Sequence, residues 1–215
     1  GNATCTAPSP SSANVPNGGA GVNFVWSCTA DDQGEYAFSA GADIDELDFA
    51  DLKQSSDYIK IDATTFRRIE NIPQPVITAV NGAAIGFGCK FAIVSDITVA
   101  SEKARFSLPG ATFGAVHMIM LGRARGVISR KRLSEMLLTG EMLDAKTAQD
   151  FGIVNHVVPH DQVLARAIAI AEKIADNSPT AVQAVKRAVQ NGQGEPVEQA
   201  IAIMMDEHWR SVVHT

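Results

Sequence analysis

The sequence predicts an α/β fold with a helical C-terminal region. Short β-branched runs alternate with helical patterns early in the chain, and helical patterns dominate its end. A length of 215 residues is ample for one hydrophobic core. With 46% hydrophobic residues, 20% charged residues and a formal net charge of -6, the composition is that of an ordinary globular protein and shows no basic footprint for nucleic acid.

The first part of the chain predicts a leader followed by two strands. Residues 1–22 are rich in Ser, Pro, Asn, Ala and Gly, which indicates a disordered or atypical leader. Residues 23–28 predict a strand. The segment YAFSAGADI, residues 36–44, runs from apolar residues into small ones around Gly41, which predicts a strand that ends in a tight loop.

A helix is predicted over residues 56–69. Its apolar residues recur at spacings of three and four and form one stripe, made of Ile59, Ala63, Phe66 and Ile69. Pro73 and Pro75 follow and are expected to stop the helix.

The central stretch, residues 75–114, carries the clearest prediction of a binding site. Residues 75–80 predict a buried strand, Asn81 and Gly82 a turn, and residues 89–94 a buried helix. A glycine-rich segment between strand and helix leaves backbone N–H groups free at a helix N-terminus, where the dipole favours an anion or a developing oxyanion. Its glycines follow neither dinucleotide-binding nor P-loop spacing, so the alternative of a nucleotide phosphate has little support.

The remaining elements follow from short runs and capping residues. Strands are expected at residues 97–100, 104–107 and 154–158, with a turn at 108–110. Helices are expected at residues 130–138, 144–151, 161–176 and 179–189, and a last one begins at Pro196. Asp144 and Ser178 are predicted N-caps, and Gly140 and Gly152 follow predicted helix ends.

Several segments resemble the crotonase family of enoyl-CoA hydratases, enoyl-CoA isomerases and their relatives. They are YAFSAGADI, PVITAVNGAAIGFGCKFAIVSDITVASEKARFSLP, LLTGEMLDAKTAQDFGIVNHVVP and SPTAVQAVKRAVQ, in the order the family has them. The resemblance implies a ββα superhelix with a helical C-terminal region, assembly into trimers or hexamers, and an acyl-coenzyme A substrate. It divides the chain into the leader, a core with the acyl-CoA site at residues 23–140, and a helical region, expected to form the trimer, at residues 141–215.

The resemblance also implies which residues bind the substrate. Backbone N–H groups of Ala42 and Phe87 are expected to form an oxyanion hole for the thioester oxygen. The backbone expected to contact coenzyme A comprises Ala40, Gly41, Ala42, Asp43, Ile44 and Gly86. No cofactor beyond the coenzyme A of the substrate is implied.

The sequence departs from the family at both positions where hydratases usually carry a glutamate. Lys90 stands at the first and Gly110 at the second, so ordinary hydratase activity is doubtful. Phe87 replaces a usual glycine and is expected to narrow the pocket. A run AVHMIMLG replaces the usual glycine-rich run after Gly114.

Each candidate side chain has a functional and a structural interpretation. Lys90 is either a cation facing the acyl pocket or a lysine that snorkels or pairs with an acid such as Asp43. His117 is either a general base or a partly buried histidine without a catalytic role. Five basic residues, Arg123, Arg125, Arg130, Lys131 and Arg132, form either a solvated face or a contact for an anion.

Three hypotheses remain after sequence analysis: an enzyme acting on coenzyme A thioesters, a binding protein that has kept the site and lost catalysis, and the weakly supported nucleotide-phosphate site. No His, Cys or Asp cluster has metal-ligand spacing, so no metal is expected. The three cysteines form no paired framework, which favours a reducing cytoplasm, and Cys89 is expected in the core.

Overall fold

The computed structural model describes residues 51–116 and 122–213, together with the backbone of two strands at 22–29 and 35–42. These strands, β1 (Val22–Thr29) and β2 (Glu35–Ala42), form an antiparallel hairpin in which Val22 pairs with Ala42. Residues 1–21 of the predicted leader, and Asp43, Ile44 and His117 among the predicted site residues, lie outside this described part.

Helix α1 (Leu52–Glu70) begins four residues before its predicted start because Asp51 caps it. The Asp51 carboxylate accepts hydrogen bonds from the N–H groups of Lys53 and Gln54, at 2.8 Å and 3.1 Å. The helix ends before Pro73, as the sequence predicts.

Two further sheets form the centre of the described fold. β3 (Ile77–Val80), β5 (Ile97–Ser101) and β8 (His156–Val158) form a parallel sheet in the order β3-β5-β8. β4 (Ala83–Ile85), β6 (Arg105–Ser107) and β7 (Leu143–Asp144) form the other, where β6 is parallel to β4 and antiparallel to β7. The consecutive strands β5 and β6 therefore belong to different sheets.

Helix α2 (Phe87–Val94) is buried along almost its whole length between α1 and the strands. Its apolar residues and Phe66 of α1 form the main core together with Phe106 and Leu108. This confirms the predicted buried helix, which begins two residues earlier than expected.

The later helices are α3 (Arg130–Thr139), α4 (Ala145–Phe151), α5 (Val163–Ala175), α6 (Pro179–Gly192) and α7 (Val197–Val213). The predicted cap of α4 is confirmed, since the Asp144 carboxylate accepts a hydrogen bond from the Thr147 N–H at 2.7 Å. Ser178 occupies the predicted cap position of α6, but its hydroxyl contacts the Thr180 hydroxyl at 3.0 Å and caps no N–H.

The first part of the region after residue 140 contributes strands to the central sheets, and its last two helices pack against each other. β7 and β8 lie beyond that predicted boundary, and each pairs with a strand of the central sheets. Helix α5 lies against β3 and β5, whereas α6 and α7 pack chiefly against each other. Within the described residues, no helix has both the length and the apolar character needed to cross a bilayer.

Candidate functional site

The candidate site is centred on the N-terminus of α2, which follows directly from β4 through Gly86. Gly86 has φ 55° and ψ -110°, a conformation that an L-residue rarely adopts. A Cβ atom built on this glycine would meet no heavy atom within 4 Å, so the requirement for glycine is conformational rather than steric. The Gly86 N–H donates to the Ser107 carbonyl at 2.9 Å and ties the turn to the end of β6.

The first N–H groups of α2 have no acceptor among the described residues. No side chain caps the helix, and neither Phe87 nor Gly88 donates a backbone hydrogen bond to a described residue. The first bond within the helix runs from the Lys90 N–H to the Gly86 carbonyl, at 3.0 Å. Two adjacent donors at the positive end of a helix dipole are suited to an anion or an oxyanion.

The strand that carries the other predicted donor lies next to this helix. β2 contacts α2, and Ala40, Gly41 and Ala42 form its last residues. The prediction of a tight loop around Gly41 is wrong for Gly41 and Ala42, because both residues belong to β2 and pair with β1. Partner strand β1 supplied the pairing that the local sequence of small residues did not indicate.

The Phe87 side chain points into the core. It is only 3% exposed and lies between aromatic residues of α1, with ring centroids 5.5 Å from Phe66 and 6.0 Å from Tyr58. The expectation that this ring narrows a pocket is therefore not supported, since the ring fills space between α1 and α2 instead.

Lys90 forms a buried ion pair with Asp62 of α1. The Lys90 Nζ and Asp62 Oδ2 atoms are 2.7 Å apart, and the side chains are 1% and 6% exposed. The Nζ atom also lies 4.5 Å from the centroid of the Phe87 ring. Burial lowers the pKa of the Lys90 ammonium, and the Asp62 carboxylate opposes that shift.

This pair decides between the interpretations of the Lys90 side chain. The ammonium does not snorkel to solvent, and the interpretation of Lys90 as a lysine paired with an acid is confirmed with Asp62 as that acid. Asp62 was missed, although it lies on the apolar stripe of α1, four residues before Phe66. An acid on one buried face and a base on another is a signal that the two would pair.

The Asp62 carboxylate is only partly satisfied. Its Oδ1 atom is buried and has no hydrogen-bond partner among the described residues. The pKa of Tyr58, one helical turn before Asp62, is raised chiefly by burial and to a smaller extent by the Asp62 carboxylate. Tyr58, Asp62 and Lys90 thus form a polar cluster next to Phe87, since the Tyr58 ring and the Lys90 Nζ atom both contact the Phe87 ring.

Gly110 is buried in a 3-10 turn (Pro109–Phe113) that replaces the simple turn expected at residues 108–110. Its carbonyl accepts a hydrogen bond from the Ala115 N–H at 2.8 Å. The Ser107 hydroxyl donates to the Gly140 carbonyl at 2.8 Å and holds this turn against the end of α3. Gly110 has no side chain, so it offers no acid or base at this position.

Two other sequence expectations concern Cys89 and the basic cluster. Cys89 is a core residue as predicted, and burial raises the pKa of its thiol to about 12. In the basic cluster, Arg123 pairs with Glu70, and the Arg132 guanidinium lies over the Phe151 ring. Those contacts leave less of the cluster for an anion. Within the described residues, no group of three His, Cys, Asp or Glu side chains is arranged to hold a metal ion.

Comparison with known proteins gives one consistent family. Residues 32–212 match the family model described as enoyl-CoA hydratase/isomerase. The 2,3-dehydroadipyl-CoA hydratase of Escherichia coli K12 is 36% identical over 170 residues, which are 77% of this chain and 64% of that protein. The short-chain-enoyl-CoA hydratase of Clostridium acetobutylicum is 36% identical over 173 residues, which are 79% of this chain and 65% of that protein.

A solved structure shows the same fold. The crystal structure of the enoyl-CoA hydratase from Bacillus anthracis matches with a TM-score of 0.75 and 32% sequence identity, over 81% of this chain and 68% of that one. The chain spans slightly less than two thirds of the length of the curated relatives just named.

Proposed function

The chain belongs to the enoyl-CoA hydratase/isomerase family and has its crotonase fold, and from that premise we propose that it binds acyl-coenzyme A thioesters and stabilises an enolate or oxyanion with backbone N–H groups. The proposed donors are Ala42 and Phe87. The proposed contacts to coenzyme A are the backbone of residues 40–44 and Gly86. No metal and no cofactor other than the coenzyme A of the substrate takes part.

One observation carries the proposal: α2 begins at Phe87, directly after a glycine with positive φ, and no described residue accepts a backbone hydrogen bond from the first N–H groups of the helix. Such donors are fixed before the substrate arrives, so they need little reorganisation when negative charge develops on the thioester oxygen. They belong to the backbone and therefore do not depend on the side chains at positions 90 and 110.

The reaction itself is proposed to require fewer proton transfers than hydration. Adding water across a double bond needs one group to take a proton from water and another to deliver one to carbon. Lys90 is held in an ion pair and Gly110 has no side chain, so neither residue supplies these groups. Hydrolysis, decarboxylation or isomerisation of a coenzyme A thioester suits the remaining site better.

The same observations favour a second candidate, a catalytically impaired protein that only binds acyl-CoA. Turnover of a panel of acyl-CoA esters separates the two, since only the enzyme converts an ester while both bind it. Isothermal calorimetry with coenzyme A, against NAD and ATP as controls, tests binding first. Folded protein that binds none of the three, or binds ATP or NAD in preference, would refute the acyl-CoA site.

We expect crotonyl-CoA hydration to be very weak, because losing one acid or base typically costs about a hundred- to ten-thousand-fold in rate. A variant with glutamate at positions 90 and 110 also needs a change at Asp62, because Asp62 is the partner of Lys90. Lys90→Glu alone would bury two carboxylates side by side, so the test variant is Lys90→Glu and Gly110→Glu combined with Asp62→Asn. Wild-type hydration at tens of turnovers per second would contradict the reasoning.

Self-association is proposed from the exposed apolar side chains of α7. Six of its residues, Val197, Ile201, Met204, Met205, Trp209 and Val212, are between 47% and 69% exposed. A helix face of this kind is usually covered in the assembled protein, and a homotrimer or hexamer in the cytoplasm is proposed. Light scattering at micromolar concentration tests it, and a monomer would count against it.

A further inference from the structure

We propose that Asp62 and Lys90 are positioning residues that hold the first turn of α2, and with it the Phe87 N–H group, in a fixed direction. This role of the Asp62–Lys90 pair rests on the proposed function, in which the Phe87 N–H group binds the thioester oxygen. The pair itself is a feature of this chain's own residues and is observed without a substrate.

The connection between Lys90 and the Phe87 N–H runs through one peptide unit. The Lys90 N–H donates to the Gly86 carbonyl at 3.0 Å. The Gly86 carbonyl and the Phe87 N–H belong to the same planar peptide unit and point in opposite directions. Fixing the carbonyl oxygen therefore fixes the direction of the N–H group.

Lys90 is in turn anchored from outside the helix. Its Nζ atom donates to Asp62 Oδ2 at 2.7 Å, a charge-assisted hydrogen bond between α2 and α1. The Nζ atom also lies over the Phe87 ring, which Phe66 contacts on α1. Residue 87 is thus held through its peptide unit and through its ring, and both restraints involve Lys90.

A contribution to overall stability is the weaker explanation of the pair. Replacing a buried ion pair with well-packed apolar residues is often neutral or stabilising, because the charges lose hydration. Here Asp62 Oδ1 also lacks a partner among the described residues, which adds an unfavourable contribution. A directional bond at this position is better explained by the geometry that it imposes on the first turn of α2.

The test compares wild type with the double variant Asp62→Asn, Lys90→Met, which removes both charges and keeps similar volumes. Each single change would leave one buried charge uncompensated and could prevent folding, so the double variant is the informative one. The matched control is Asp57→Asn with Lys53→Met, which removes an exposed pair on the same helix.

The first measurement is the order parameter of the Phe87 amide in protein labelled with ¹⁵N-phenylalanine. We expect a rigid value of about 0.85 in wild type and control, and a value below about 0.6 in the double variant. A folded double variant with an equally ordered Phe87 amide and an unchanged amide chemical shift would overturn the proposal.

The second measurement uses an aromatic enoyl-CoA thioester, whose absorption moves to longer wavelength when its carbonyl oxygen accepts hydrogen bonds. Wild type and control are expected to shift the band, and the double variant to bind the ester with similar affinity but lose most of the shift. A folded double variant with the full wild-type shift would also overturn the proposal. If wild type binds the ester without any shift, the oxyanion function fails, and the order parameter still decides whether the pair positions Phe87.

Discussion

Replacing Gly86 with alanine tests the geometry on which the candidate site depends. An alanine at φ 55° and ψ -110° lies in a sparsely populated region, which costs about 1–3 kcal/mol. The lower backbone entropy of an unfolded alanine offsets about 0.4–1 kcal/mol of that. The new methyl group meets open space, so no steric contribution is added. We therefore expect a net loss of about 1–2 kcal/mol in the free energy of unfolding.

The matched control is Gly82→Ala in the turn before β4. Gly82 also has open space at its Cβ position, but its φ is not in the left-handed range. Since the same entropy gain applies there without strain, the control is expected to be unchanged or stabilised by up to about 1 kcal/mol. The two variants thus add the same methyl group and differ in backbone conformation.

Urea unfolding followed by circular dichroism measures the difference. With a slope of about 2 kcal/mol per molar, the Gly86→Ala midpoint should fall by about 0.5–1 M. If the turn rearranges to relieve the strain instead, the Gly86–Phe87 peptide rotates and the absorption shift of a bound aromatic enoyl-CoA is lost. A Gly86→Ala protein that matches Gly82→Ala in both stability and absorption shift would refute the reasoning.

Three further predictions concern single side chains. Lys186→Met should lower the free energy of unfolding by about 1–3 kcal/mol, because it removes the charge-assisted hydrogen bond from the buried Lys186 Nζ to Asp96, 2.7 Å away. The same change at an exposed lysine of α1 should have little effect. Asp144→Ala should destabilise the protein at neutral pH, because the Thr147 N–H lowers the pKa of this carboxyl; urea midpoints of the two proteins should converge as the pH falls below 3.8. In a protein whose other two cysteines are replaced by serine, Cys89 should not react with a thiol reagent at pH 8 until urea unfolds the protein, since burial raises the pKa of its thiol to about 12. Rapid labelling of the folded protein would contradict this.

Much of the local structure was predictable from neighbouring residues. The apolar stripe of α1, the cap at Asp144 and the glycine after α3 each depend on a few residues close in the chain. The turn at Gly86 before a buried helix was predictable for the same reason. The local sequence could therefore indicate an anion site at the start of this helix, and the family resemblance added Phe87 as the donor.

Tertiary structure decided what surrounds that donor. Lys90 pairs with Asp62, 28 residues earlier in the chain, and β5 and β6 separate into different sheets although only three residues lie between them. Gly41 and Ala42 continue β2 because β1 pairs with them. The physical reason is that helix periodicity and capping arise from contacts within one or two turns, whereas strand pairing and buried ion pairs join groups that only the folded chain brings together, at energies set by burial rather than by local sequence.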